Sequence, residues 1–473
     1  MRTAKRTVLF TLCSFLIVPG AFAQTMSPQT SAPGAEVFTL ARAIQYASEH
    51  YPSVRASLER IQAAQGGVSL AFTAYLPSVN TLWQSNRATA NNIFGLLLPQ
   101  GVVSPISGPV LAHTSNRSVW GSAAGVLSSW EPFDFGYRRA TVDVARAGET
   151  AARSRADLTR LDVEAAAAQA FFALLAAEQV VNTSKANVQR REVFAKSVHV
   201  LVENQLRPGA DASRADAELA VARTQLIQAQ TAERASRAAF ADILGIKGTN
   251  VEVDHGPLLG SPLDTSLAVL PLTSHPAATA QQAQVEQAKA RERTLERSYV
   301  PRFLAQAAIS GRGSGANTDG TFAGGLNGLG LERMNYAAGV TVAFPAFDFF
   351  SIRAEKKVEA ANRRAEEARY DQTLQDLSDQ VEQARAALDG ARRVAENTPI
   401  ELQAARDSER QAKARYQAGL ATIVEISDAQ ALLVQAEIDD ALARLNVWRG
   451  LEGVAAAQGN LQPFLQLLSS SAP

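Results

Sequence analysis

Two periodicities divide this chain. Four segments alternate apolar and polar residues with period two, the spacing at which successive side chains point to opposite faces of a strand. In Arg302 to Ser310, Phe303, Ala305, Ala307 and Ile309 fall on one face and Arg302, Gln306 and Ser310 on the other. From Asn335 to Phe344 the apolar face is Tyr336, Ala338, Val340, Val342 and Phe344. Earlier, Val79 and Trp83 alternate with Ser78, Asn80 and Gln84, while Trp120, Ala124, Val126 and Trp130 share a face. The predicted strands span about 75–87, 117–131, 299–311 and 334–347. Each is near the ~9 to 11 residues that cross a bilayer as a tilted strand, with aromatics toward the ends. A small soluble antiparallel sheet with one wet face would show the same alternation.

The second period is helical. Leu158, Leu161, Ala165, Ala168, Phe172 and Leu175 recur at alternating spacings of three and four, as do Leu374, Leu377, Val381, Ala384, Leu388, Ala391 and Ala395. These are heptad seams rich in alanine, which allows close helix packing. Long helices are predicted at about 137–206, 211–244, 350–417 and 423–458. The first would run ~105 Å at 1.5 Å per residue, too long to fold back into a compact enzyme domain. Gly390 and Asn397-Thr398-Pro399 interrupt the third, where a kink is expected.

The two kinds of segment occur twice in the same order. Tyr51-Pro52 and Leu76-Pro77 recur as His275-Pro276 and Val300-Pro301 at a common offset, 276 − 52 = 301 − 77 = 224. The corners Pro132-Phe133-Asp134-Phe135-Gly136 and Pro345-Ala346-Phe347-Asp348-Phe349 also match. A two-fold duplication accounts for this, with repeats at 36–255 and 256–460 and a flexible C-terminal tail at 461–473. The expected fold class is mainly α with a membrane β-barrel part.

The N-terminus moves the protein out of the cytoplasm. Arg2, Lys5 and Arg6, the apolar run Val8 to Val18 and the small-x-small site Ala21-Phe22-Ala23 form a signal peptide over residues 1–23. Its removal takes away Cys13 and leaves 43 basic against 46 acidic residues. A near-neutral chain is no nucleic-acid binder working through bulk charge. The five histidines are scattered, so no metal site and no cofactor is expected, and no nucleophile–base pair supports an enzyme. No mature segment reads as a transmembrane helix. The long uncharged stretch Ala88 to Asn116 holds three prolines and reads as a loop. Membrane entry therefore has to be by strands closed into a barrel.

Together these residues resemble the outer membrane efflux proteins, the TolC-like exit ducts, over nearly the whole mature chain. The most specific piece is Tyr416-Gln417-Ala418-Gly419-Leu420-Ala421-Thr422-Ile423-Val424-Glu425-Ile426-Ser427-Asp428-Ala429, which looks like the family's second-repeat signature. The resemblance implies a homotrimer in the outer membrane in which each chain gives four strands to a twelve-stranded barrel, continued by long helices across the periplasm. It implies a passive conduit of a tripartite efflux or type I secretion system, gated at its periplasmic tip. A periplasmic adaptor and an inner-membrane pump are the implied partners. It also makes Arg87 to Thr114 and Gly311 to Arg333 extracellular loops and Gly245 to Ser274 a belt around the helices. A periplasmic coiled-coil scaffold or adaptor without a pore is the alternative, since the heptads alone would suffice for it. Cargo is written nowhere in the residues.

The turns between paired long helices are the candidate gate. Gly209 and Gly419 mark them, each also readable as an ordinary helix C-cap. Asp216 is the first-turn acid, not securely matched to Glu425 because the two turns differ in length. Arg207 could supply a positive charge that some family members carry where this chain has Ala421. Tyr416 is either the family's tyrosine at the closed mouth or a packing residue. Glu425 and Asp428, three apart at a helix start, project from one face; they form either a carboxylate ring at the pore mouth or simple helix-start capping.

Overall fold

A computed structural model describes residues 36–89, 116–260, 267–315, 317, 321–344 and 348–470. The signal peptide, most of the first long loop and part of the second corner lie outside these residues. In chain order the elements are β1 (Glu36–Phe38), α1 (Leu40–His50), α2 (Pro52–Thr73), β2 (Ser78–Thr89), β3 (Ser118–Phe133), α3 (Tyr137–Glu203), α4 (Gly209–Ile243) and β4 (Val251–Val253). Then follow α5 (Pro276–Glu296), β5 (Arg302–Ser314), β6 (Arg333–Ala343), α6 (Phe349–Gln417), α7 (Ile423–Ala457) and α8 (Gln462–Ser470).

The paired prolines have a mechanical explanation. Pro52 and Pro276 each occupy the first position of a helix, where a missing N–H costs nothing and the fixed φ is already helical. His275 completes the second start, its Nδ1 accepting from the Ala277 N–H at 3.0 Å.

All neighbours in the sheet β2-β3-β5-β6 are antiparallel. Ala305 faces Val340 and Trp130, Ile309 faces Tyr336 and Val126, and Trp83 faces Ala124. Partners directly opposite share a face. The four apolar alternations therefore lie on one side of the sheet and are largely exposed, Tyr336 at 88% and Trp83 at 75%. The opposite side carries Asn80, Gln84, Gln306, Ser310, Asn335 and Thr341. The outer edges of β2 and β6 have no partner strand among the described residues.

The long helices continue the sheet. Next to it α2, α3, α5 and α6 pack side by side; farther away α4, α3, α7 and α6 do so. The α3 seam is buried as the heptads require, with Leu161, Ala168, Phe172 and Leu175 inside. On α6 the seam is buried at Leu377 and Val381 and half-buried elsewhere. α6 runs unbroken through Gly390 and Pro399, so the proline sits within one helix.

The main core surrounds the middle of α3. Phe171 meets Phe240 edge-on at 5.7 Å, Phe240 meets Phe38 at 6.1 Å, and β1 pairs in parallel with β4 to close this belt. The Trp448 indole N–H reaches the Gly260 carbonyl at 3.1 Å. One sequence expectation is corrected here. Within the expected flexible tail 461–473, residues 461–470 are ordered: α8 occupies 462–470, with Leu461 and Phe464 buried and Phe464 packed on Trp448 at 6.4 Å, and 471–473 lie outside the described residues. A short amphipathic helix that buries a phenylalanine gains enough apolar contact to dock. One window of α3 also reaches a mean hydropathy of 1.2, enough by composition for a membrane span. The apolar middle of this helix, Phe171 to Leu175, lies inside the protein core.

Candidate functional site at the hairpin tips

α3–α4 and α6–α7 are two helical hairpins whose turns lie together. The second turn is a Schellman motif: Leu420 N–H bonds Arg415 O at 2.8 Å and Gly419 N–H bonds Tyr416 O at 3.1 Å, with Gly419 at φ +78°. The first turn is the same motif on other residues. Leu206 N–H bonds Leu201 O at 2.8 Å, Gln205 N–H bonds Val202 O at 2.9 Å, and Gln205 takes φ +60°. The left-handed position of the first turn is thus Gln205, and Gly209 is instead the first residue of α4.

This shifts the correspondence between hairpins. The left-handed residues differ by 419 − 205 = 214, and the starts of α4 and α7 by 423 − 209 = 214. Asp211, not Asp216, therefore holds the position of Glu425, and Arg207 holds that of Ala421. Asp216 pairs within its own hairpin, Oδ1 lying 2.9 Å from His199 Nε2.

Tyr416 joins the two hairpins. It is buried at 1% exposure, and its hydroxyl donates to Asp211 Oδ2 at 3.0 Å. The Arg207 guanidinium lies over its ring, 4.2 Å from the centroid, and donates to its carbonyl oxygen. Phe194 packs against the ring at 5.6 Å. Burial and the Asp211 carboxylate push the phenol pKa up to about 12. Arg207 does supply a positive charge to the tip, but to Tyr416 and not to Glu425.

Glu425 and Asp428 are both exposed. Glu425 closes a capping box with Thr422: Thr422 Oγ1 accepts from the Glu425 N–H and the Glu425 carboxylate accepts from the Thr422 N–H, both at 3.4 Å. Its other oxygen lies 3.7 Å from Arg415. The bland capping role accordingly holds for Glu425. Asp428 has no ion-pair partner among the described residues. Thr422→Ala should weaken the α7 start by ~1 kcal/mol, read as roughly fivefold faster amide exchange in its first turn with the fold otherwise intact.

Sequence reading passed over Asp211, Arg415 and Thr422. The Thr-x-x-Glu spacing of the capping box was available as a signal; nothing in the sequence pointed Tyr416 at a residue 205 positions away.

No group of three or more His, Cys, Asp or Glu among the described residues is placed to hold a metal ion. The model of the outer membrane efflux proteins matches residues 43–246 and again 268–460. The chain belongs to this family. Protein CyaE of Bordetella pertussis is 25% identical over 430 residues, covering 88% of this chain and 84% of that one. Among solved structures, VceC of Vibrio cholerae, an outer membrane protein, superposes with a TM-score of 0.70 at 19% identity over 89% of this chain and 96% of its own. The CmeC outer membrane channel of Campylobacter jejuni gives 0.69 at 15% identity over 92% and 90%. As an outer membrane efflux protein with the fold of such channels, the chain is a transport protein.

Proposed function

We propose that this efflux protein is the outer-membrane exit duct of a tripartite efflux or type I secretion system, a passive conduit from periplasm to exterior. The observation that carries the reading is the open four-stranded sheet. Its apolar face is exposed, its two edges lack partners among the described residues, and it runs directly into helices of 67 and 69 residues. Lipid tolerates no open strand edge, so further chains must complete the barrel. Three copies supply twelve strands and, with the helices below, a periplasmic tube. The matching order of elements in 36–255 and 256–460 supports descent from one duplicated unit. A pore-free scaffold leaves the exposed apolar face without a use.

The species extracted from outer membranes should have the mass of three chains. A monomer or dimer in detergent, or a protein recovered soluble from the periplasm, defeats the architecture.

At the periplasmic end, the tips bearing Gly419, Tyr416, Arg207 and Asp211 form the gate, where an adaptor and an inner-membrane pump would engage the duct. Facing the lumen, Glu425 and Asp428 from three chains would form a carboxylate ring that attracts multivalent cations. Since Glu425 is held by Thr422 and Arg415, Asp428 should dominate. Single-channel recordings should show block by a trivalent cation from the periplasmic side, weakened in Asp428→Ala and abolished in Glu425→Ala/Asp428→Ala. Unchanged block in the double variant removes both residues from the pore mouth.

A further inference from the structure

On the apolar face of the sheet, β5 presents Phe303, Ala305, Ala307 and Ile309, and the same face continues as Gly311, Gly313 and Gly315. The returning chain occupies the space that side chains would fill there. A Cβ on Gly311 would lie 3.3 Å from the Leu331 Cβ, one on Gly315 2.8 Å from the Asn327 oxygen, and one on Gly313 would overlap the Gly330 carbonyl oxygen. Residues 326–331 thus form a strap laid along a track of three glycines. Ser122 Oγ donates to the Gly330 carbonyl at 3.4 Å, and Gly328, at φ +99°, sits so close to β3 that a Cβ on it would overlap the Trp120 carbonyl oxygen. The other side of the strap is apolar and open: Leu326, Leu329 and Leu331 are exposed and continue the exposed patch of Met334 and Tyr336.

The depth of the strap follows from the strands. On β3 the apolar face runs from Trp130 to Trp120, 130 − 120 = 10 steps. At ~3.3 Å per residue and a tilt of ~40° this rises ~25 Å, the height of a barrel's apolar band with an aromatic at each end. On β5 the side chains of that face stop at Ile309, 309 − 303 = 6 steps from Phe303, a rise of only ~15 Å by the same projection. The strap lies over the remainder, level with Trp120. We propose that residues 326–331 are a membrane-lying strap whose leucines enter the outer boundary of the bilayer, an inference that rests on the strands crossing the outer membrane. The partner is a lipid surface, because the leucines prolong the face that already meets lipid, and an apolar patch of this kind is stable only when covered. The same placement keeps these residues on the outside of the barrel wall, away from its mouth.

The test uses single cysteines, which label selectively because the one native cysteine, Cys13, lies in the signal peptide. Leu326→Cys and Leu329→Cys, both at exposed positions, are labelled with an environment-sensitive fluorophore and the full-length protein is reconstituted into vesicles of phosphatidylethanolamine and phosphatidylglycerol. Lipid spin-labelled near the headgroup should quench both dyes, and aqueous iodide should quench them several times less than the same dye on Leu206→Cys at the hairpin tip. Val340→Cys reports on the strands independently. A Val340 dye that lipid spin-labelled in its acyl chain does not quench removes the barrel reading, and the strap falls with it. A Val340 dye that is quenched, while those at 326 and 329 either respond to iodide as Leu206 does or are shielded from both quenchers as in a contact between chains, overturns the strap alone.

Discussion

Arginine at Val340 is expected to prevent assembly of the proposed trimer in the membrane, and arginine one position on, at Thr341, to leave it intact. The register decides this. Val340 lies opposite Ala305, on the face with Trp130, Trp83 and Tyr336, whereas Thr341 lies opposite Leu304 on the side that carries Gln306 and Asn335. A cationic side chain on the lipid face of a barrel costs ~2 to 4 kcal/mol at the midplane and less toward the interfaces, and a trimer bears it three times. The contrast should grow one pair deeper, with Ala338→Arg more damaging than Val340→Arg and Ala337→Arg tolerated. Heat-resistant trimer on gels of outer-membrane fractions reads the result. Equal yields from Val340→Arg and Thr341→Arg would mean that the apolar face does not meet lipid.

The other large effect is expected at the tips. Removing the hydroxyl in Tyr416→Phe deletes the bond to Asp211, a hydrogen bond to a charged group worth ~1.5 to 3 kcal/mol. With one such bond per chain, the open population of the proposed three-fold gate should rise by roughly ten to a hundredfold per bond lost. Asp211→Ala should act in the same direction, and the combination should add little, because both remove one contact. Larger resting conductance in planar bilayers is the readout, and closed-state conductance unchanged in both variants would take this contact out of the gate. The pH dependence follows from the same phenol. Its pKa is raised in the folded protein to about 12, so its contribution is fully present below the unfolded value near 10 and is lost as pH rises from there through 12. Conductance should therefore be insensitive to this group at neutral pH, and phenolate absorbance lost in Tyr416→Phe should be the part that appears near pH 12.

Much of this architecture is legible without coordinates, for a physical reason. Side-chain direction in a strand reverses at every residue and in a helix returns after three or four, so the apolar face of β5 and β6 and the buried seam of α3 are encoded locally. The same holds for the capping box at Thr422 and Glu425 and for the prolines that start α2 and α5. What tertiary structure alone decided lies where distant segments meet or where packing overrides a local rule. Pro399 ought to end a helix, yet α6 continues past it, and Thr398 beside it is buried with its hydroxyl 3.4 Å from Asp440 of α7. The left-handed turn of the first hairpin falls on Gln205 with a glycine four residues away, so glycine positions alone could not match the first-turn acid to Glu425. Asp211 and Arg207 reach Tyr416 across more than 200 positions, a juxtaposition no spacing expresses, because it depends on how α3 and α7 pack and on the lengths of both hairpins.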